Sequence, residues 1–272
     1  MKKTLLLLIS FTLLFTFCKQ AEQEKYSVKL DTFTPYAAYP EILNGKVKTI
    51  EEASYLAEIL DGNFIQGDRM DAAARDSFNW SDDFIVRYDD NGILLQIDYV
   101  DENDDIISIT KIEIIDGKMH KARDIVNDTL KGITNISYNE KGLADRYENF
   151  KSEKDSLNLY SIAMYDDNDN LTSVTVYNID NEITYKYQFS VNENGSRSGI
   201  KGFNKEGELR SDWKIFYNEK GFMKNSIIID SKGEKEEWTY SYDYDEMDNW
   251  IKSYGSSEKI NVITERKYSY YK

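Results

Sequence analysis

One five-residue phrase recurs ten times between residues 88 and 248: an apolar residue, then Asp or Asn, two variable residues, and a closing Gly, Asp or Asn. The copies occupy 88–92, 100–104, 138–142, 165–169, 177–181, 191–195, 203–207, 217–221, 229–233 and 244–248. Turn chemistry explains each position. The second residue bonds its side chain to the backbone two residues on, which opens a type I turn. The closing residue takes the left-handed conformation that Gly adopts freely and Asn and Asp tolerate. The phrase therefore predicts a hairpin turn.

Spacing turns the phrase into an architecture. One series of closing residues runs Gly92, Gly117 (from an Asp116-Gly117 turn), Gly142, Asp169, Gly195, Gly221 and Asp248, at intervals of 25 to 27 residues. A second series, Asp104, Asn181, Gly207 and Gly233, lies between them, with weaker turn candidates at 128–132, 152–155 and 256–259. A period near 26 that holds two turns is one β-hairpin, and about seven such repeats follow one another. Within them Tyr185, Tyr187, Phe189 and Val191 alternate with Lys186, Gln188 and Ser190, and Trp238, Tyr240, Tyr242 and Tyr244 alternate with Thr239, Ser241 and Asp243. One face of each strand is dry. The expected fold is all-β, an antiparallel meander of about seven 26-residue hairpin repeats, curled or solenoid-like so that the aromatic face is buried.

Residues 26–80 read differently. Thr49 followed by Glu52 forms a capping box, and Ala53, Leu56, Ala57 and Leu60 share a helical face that Asp61-Gly62 would end. A second helix is expected over 68–78. These residues form a helical N-terminal cap in one domain with the repeat array at 81–272.

The N-terminus speaks to location. Lys2 and Lys3 precede a 13-residue apolar run over 5–17, too short to span a bilayer as a helix, which needs about 20 residues, and suited to a signal-peptide core. The run ends at Cys18, the chain's single cysteine. Phe15, Thr16, Phe17 and Cys18 resemble the lipobox of bacterial lipoproteins, although Phe17 stands where a small residue is usual. The resemblance implies a leader at 1–17, lipidation of Cys18, a polar tether at 18–25, and a lipid-anchored place in the bacterial cell envelope, on the outer membrane. With 49 Asp and Glu against 34 Lys and Arg, the net charge is -15. Such a chain is repelled by nucleic acid and by anionic lipid, and hangs from its anchor.

The phrase at 217–221, and especially Tyr242, Asp243, Tyr244, Asp245, Asp248 and Trp250 near the C-terminus, resembles the Tyr-Asp repeats of the RHS family and its short relatives among bacterial lipoproteins. The resemblance covers about residues 82–272. It implies a repeat architecture and almost nothing about activity. About seven repeats are too few for the cargo-enclosing shell of full-length RHS proteins.

Catalytic chemistry finds little material. His120 is the single histidine and stands in a charged stretch that reads as surface. No catalytic residue, cofactor or metal ligand is assigned. Asp101 to Asp105 and Asp166 to Asn170 carry alternating carboxylates and amides, yet Ile106 and Ile112 break the calcium-loop pattern. Tyr185, Tyr187, Trp213, Trp238 and Tyr240 are candidates for stacking on a sugar ring, against the plainer reading as core. The function expected is a non-catalytic envelope lipoprotein whose β-scaffold binds a protein or glycan, with a carboxylate-dependent hydrolase of an envelope polymer as the alternative.

Overall fold

The computed structural model describes residues 25–27, 42–78, 80–151 and 156–272. The leader, Cys18 and the turn candidate at 152–155 lie outside the described residues. The chain begins with two short strands, β1 (Lys25–Ser27) and β2 (Ile42–Asn44), then a long strand β3 (Val47–Leu60), β4 (Asn63–Arg69) and one helix, α1 (Ala72–Phe78). Strands then follow without interruption: β5 (Asp83–Tyr88), β6 (Leu94–Val100), β7 (Ile106–Ile115), β8 (Lys118–Val126), β9 (Thr129–Tyr138), β10 (Ala144–Phe150), β11 (Leu157–Tyr165) and β12 (Leu171–Asn178). The last seven are β13 (Ile183–Val191), β14 (Arg197–Asn204), β15 (Leu209–Tyr217), β16 (Met223–Asp230), β17 (Lys235–Tyr244), β18 (Trp250–Ser256) and β19 (Asn261–Tyr270).

Every strand from β5 to β19 pairs antiparallel with the next, and β3 completes the ring between β19 and β5. The result is a closed barrel of 16 strands, with β4 as an extra strand beside β3. The curled or solenoid-like sheet expected from the repeats is thus corrected. So is the helix placed at 49–60: these residues lie in β3, whose ladder with β19 runs from Val47 opposite Tyr270 to Ala57 opposite Asn261. A capping box contributes about 1 kcal/mol of local preference, and a ladder of this length, which also removes both free edges of the meander, outweighs it. Asp61-Gly62 is a hairpin turn between β3 and β4, with φ of 51° and 80°. The helical expectation survives only as α1, whose first turn Asp71 caps by accepting the Ala74 N–H at 2.8 Å.

The turns are as the phrase predicts. All ten closing residues have positive φ, from 62° at Asp169 to 85° at Gly221. Asp89, Asp101, Asn139, Asp166, Asn178, Asn192, Asn218, Asp230 and Asp245 each accept the N–H groups two and four residues on. These bonds, led at Asp166 by the side-chain amide of Asn170, hold the half-buried carboxyls of Asp101, Asp166 and Asp230 below the usual range. Because the meander alternates direction, the series ending at Asp248 lies on one rim, here the first rim, and the series ending at Gly233 lies on the second.

Register separates the faces. Phe189 lies opposite Ile200, and Ile200 opposite Trp213. No second layer covers them among the described residues, and yet Ile200 and Ile215 are buried. Side chains buried with nothing laid over them must sit on the concave side, so this aromatic face lines the barrel. The opposite, outer face carries Lys186, Gln188, Lys201, Lys214 and Glu237, half-buried to exposed. Cross-strand ion pairs lace that face, among them Lys252 with Glu265 at 2.6 Å and Arg123 with Glu113 at 3.0 Å.

Candidate functional site

The five aromatic candidates all belong to the inner face, and the structure divides them between two walls. Tyr185 and Tyr187 stack along β13 with centroids 6.3 Å apart and an 11° interplanar angle. Trp238 and Tyr240 stack along β17, 5.9 Å apart at 15°. Trp213, on β15 between the walls, packs in the cluster that holds Tyr187, Phe189 and Ile215. Glycines on the neighbouring strands make room for the rings. A Cβ at Gly202 would lie 3.6 Å from the Tyr187 ring, and one at Gly255 would lie 3.1 Å from the Tyr240 ring. Burial pushes the Tyr240 phenol well up from its ordinary value. Tyr187 and Trp238 are only 7% and 6% exposed, whereas Tyr185 is 46% exposed. Of the five, Tyr185 alone is exposed.

Tyrosine hydroxyls tie five of the repeats to the one before. Tyr138 donates to the Met119 carbonyl at 2.7 Å, Tyr165 to Ala144 at 2.6 Å, Tyr242 to Met223 at 2.7 Å and Tyr268 to Trp250 at 2.9 Å. Tyr217 donates to the Arg197 carbonyl at 2.5 Å, and burial pushes its phenol up to about 12. Each acceptor follows a first-rim turn, so this ladder packs the first rim from within. Lysines reinforce it from one turn to the next, Lys141 to Asp169 at 2.7 Å and Lys220 to Asp248 at 2.6 Å.

Two buried charge networks were not foreseen from the sequence. At the junction where β3 leaves β5 for β4, the Asp83 carboxylate is 1% exposed. It accepts the Ser54 N–H at 2.9 Å and lies 2.8 Å from Arg69 Nε and 2.7 Å from Arg75 Nη2. Arg75 in turn donates to the Met70 and Ser81 carbonyls. Inside the barrel, Arg266 lies directly opposite Glu52, bonds to it at 2.6 Å, and sits 3.9 Å over the Trp250 ring. The first is assembled where β3, β4, α1 and β5 meet, over about thirty residues, and the second by the β3–β19 pairing that joins the two ends of the chain. A local motif could not have marked them.

Nothing in these networks resembles a catalytic constellation. His120 is half-buried, with its ring 5.9 Å from that of Tyr138, rather than on the open surface. Among the described residues no group of three or more His, Cys, Asp or Glu is placed to hold a metal ion. Asp101 and Asp166, the leading residues of the two acidic runs, spend their inner oxygens on turn N–H groups.

No family model matches the sequence, and no curated protein matches it. Among solved structures, a porin-like protein from Bacteroides uniformis is similar over 82% of this chain and 96% of its own, at 11% identity and a TM-score of 0.52. A porin-like protein from Bacteroides vulgatus aligns over 82% of this chain and 99% of its own, at 10% identity and a TM-score of 0.35. TcdB2-TccC3-TEV aligns over 78% of this chain and 11% of its own, at 13% identity and a TM-score of 0.32. The first of these likenesses establishes a shared fold.

Proposed function

We propose that this chain is a non-catalytic lipoprotein of the bacterial cell envelope, held on the outer membrane by a lipidated Cys18, whose barrel serves as a scaffold that binds a protein or glycan. The observation that carries this reading is the polarity of the wall. Membrane-spanning barrels turn an apolar band about 25 Å tall outward and keep polar residues within. Here the order is reversed, with Phe189, Ile200, Ile215 and Trp238 inside and Lys201, Lys214 and Glu237 outside. Each Lys on such a wall would cost about 2 to 4 kcal/mol at a bilayer midplane. A barrel of this polarity belongs in water beside a membrane, and the single cysteine at the end of the apolar run supplies the tether.

The porin-like fold supports an envelope setting and a structural rather than enzymatic role. The Tyr-Asp phrases support kinship with short RHS-type lipoproteins, since Tyr followed by Asp or Asn opens six of the ten turns, at 88, 138, 165, 177, 217 and 244. Metabolic labelling with palmitate and membrane partition of Cys18→Ser test the anchor. Loss of both is expected, and retention of both would refute it. Planar bilayers exposed to the purified protein should show no stepwise conductance; stable single-channel steps would overturn the reading of the wall.

A further inference from the structure

The two rims differ in a way that turn formation does not require. On the first rim the second residue after each turn is turned inward: Leu94, Ala144 and Trp250 are buried and Met119, Leu171, Arg197 and Met223 half-buried. At the corresponding second-rim position Ile106, Ile183 and Leu209 stand exposed. Each follows a carboxylate, giving the doublets Asp105-Ile106, Glu182-Ile183 and Glu208-Leu209. Ile179, inside its turn, is 59% exposed.

Two doublets are neighbours. Between the turns at 178–182 and 204–208 lies an open cleft of about 580 Å³, lined by Asn178, Glu182, Ile183, Thr184, Lys205 and Glu206. Tyr185 and Leu209 stand exposed on the strands that leave these turns. The two turns hold the carboxylates of Asp180, Glu182, Glu206 and Glu208 against the single ammonium of Lys205. A polar cleft rimmed by net negative charge, with Ile183 in its lining and Leu209 exposed on the strand that leaves the second turn, repels anionic lipid and acidic partners, and complements a segment that carries Lys or Arg beside apolar side chains.

We propose that this second-rim cleft is the docking face for a cationic, aliphatic-bearing protein segment, displayed away from the membrane; the display rests on the lipidated Cys18 proposed above. The chain enters the barrel at the first rim, because β1 pairs with β2, and Asn44 in β2 bonds to Asn249 beside the first-rim turn at 244–248. Seven residue steps from Cys18 to Lys25 reach at most about 25 Å. Strands of about nine residues, tilted as barrel strands are, place the second rim about 20 Å or more beyond the first. The anchor therefore holds the ladder-packed rim toward the lipid and leaves the cleft facing outward.

Two measurements test the parts separately. Acylated protein is bound to vesicles of phosphatidylcholine containing a headgroup quencher, with a fluorophore at Glu193→Cys on the first rim or Lys232→Cys on the second. Quenching at 193 and not at 232 is expected, and the reverse order would overturn the display. Failure of the acylated protein to bind vesicles would instead sink the anchor reading and the display with it. For docking, the probe is an alternating Lys-Leu octapeptide, with an alternating Glu-Leu octapeptide as control. The Lys-Leu peptide should bind, and Ile183→Ser with Leu209→Ser should weaken it by about tenfold or more. Met164→Ser with Phe216→Ser, exposed beside the first rim, should leave it unchanged. No binding, equal loss in both double variants, or equal binding of the Glu-Leu peptide would refute the docking face.

Discussion

Replacing Gly221 by Val and by Asn isolates the backbone term on which the repeat rests. Gly221 has φ of +85°, and a Cβ added there would meet no atom within 4 Å. Any loss of stability must therefore come from conformation and not from a clash. An L-residue in the left-handed region costs about 1 to 2 kcal/mol, and a β-branched one belongs near the top of the 1 to 3 kcal/mol range for strained backbone. Asn is different, because Asn181 occupies the same place in its own phrase at φ 63°, and it should cost about 1 kcal/mol or less. At roughly 2 to 4 °C per kcal/mol for a domain of this size, Gly221→Val should lower Tm by about 4 to 10 °C and Gly221→Asn by about 3 °C or less. Urea melts would supply the free energies directly. Gly62, also at positive φ with no atom within 4 Å, should show the same ordering although it lies before the repeats. Equal stability of the two Gly221 variants would mean that the left-handed closing position is not what shapes the turn.

Asp83→Ala should be the costliest single change, about 3 to 5 kcal/mol in urea unfolding, because it strands the buried Arg75 guanidinium without its counter-charge; a loss below about 1 kcal/mol would show that water reaches the junction. Tyr242→Phe should cost about 1 kcal/mol by leaving the Met223 carbonyl without its donor, and an unchanged melt would remove the ladder's energetic role. Alkali should act late: the phenols of Tyr217 and Tyr270 are pushed up to about 12, chiefly by burial. Their contribution is complete below the ordinary phenol value near 10 and lost as pH rises toward 12, so melting temperature should hold to about pH 10 and then fall with the rise of phenolate absorbance. At Asp166, Asn should be tolerated and Ala should not, since Asn192 and Asn218 accept the same pair of turn N–H groups elsewhere; equal melting of the two variants would refute the side-chain role.

Local chemistry made the hairpins readable and left the ring unreadable. A turn is decided within five residues, so the closing Gly, Asp and Asn announce themselves in sequence, and period-2 alternation marks the dry face of β13 and β17. Closure depends on β3 meeting β19, with pairs such as Glu52 and Arg266 separated by 214 positions. Within β3 the signals point the wrong way: Thr49 with Glu52 mimics a helix start, and Asp61-Gly62 serves a helix end and a two-residue hairpin equally well. What decides is the partner, the β19 edge with which β3 pairs from Val47 to Ala57.

The aromatic candidates show the same division between what a strand knows and what a barrel knows. Alternation shows that Tyr185 and Tyr187 share a face, and in the sequence they are equivalent. In the barrel Tyr187 lies over Gly202, whose missing side chain lets the ring lie flat against the wall, while Tyr185, two residues nearer the turn, has passed the level at which neighbouring strands can cover it. Exposure at a rim is therefore set by height along the strand, which alternation does not encode. The same logic separates Ala144 from Ile183: both follow a turn of the same geometry, but on the first rim the Tyr165 hydroxyl reaches the Ala144 carbonyl and packs that residue inward. The described residues of the second rim show no such tyrosine ladder, and Ile106, Ile183 and Leu209 stay in water.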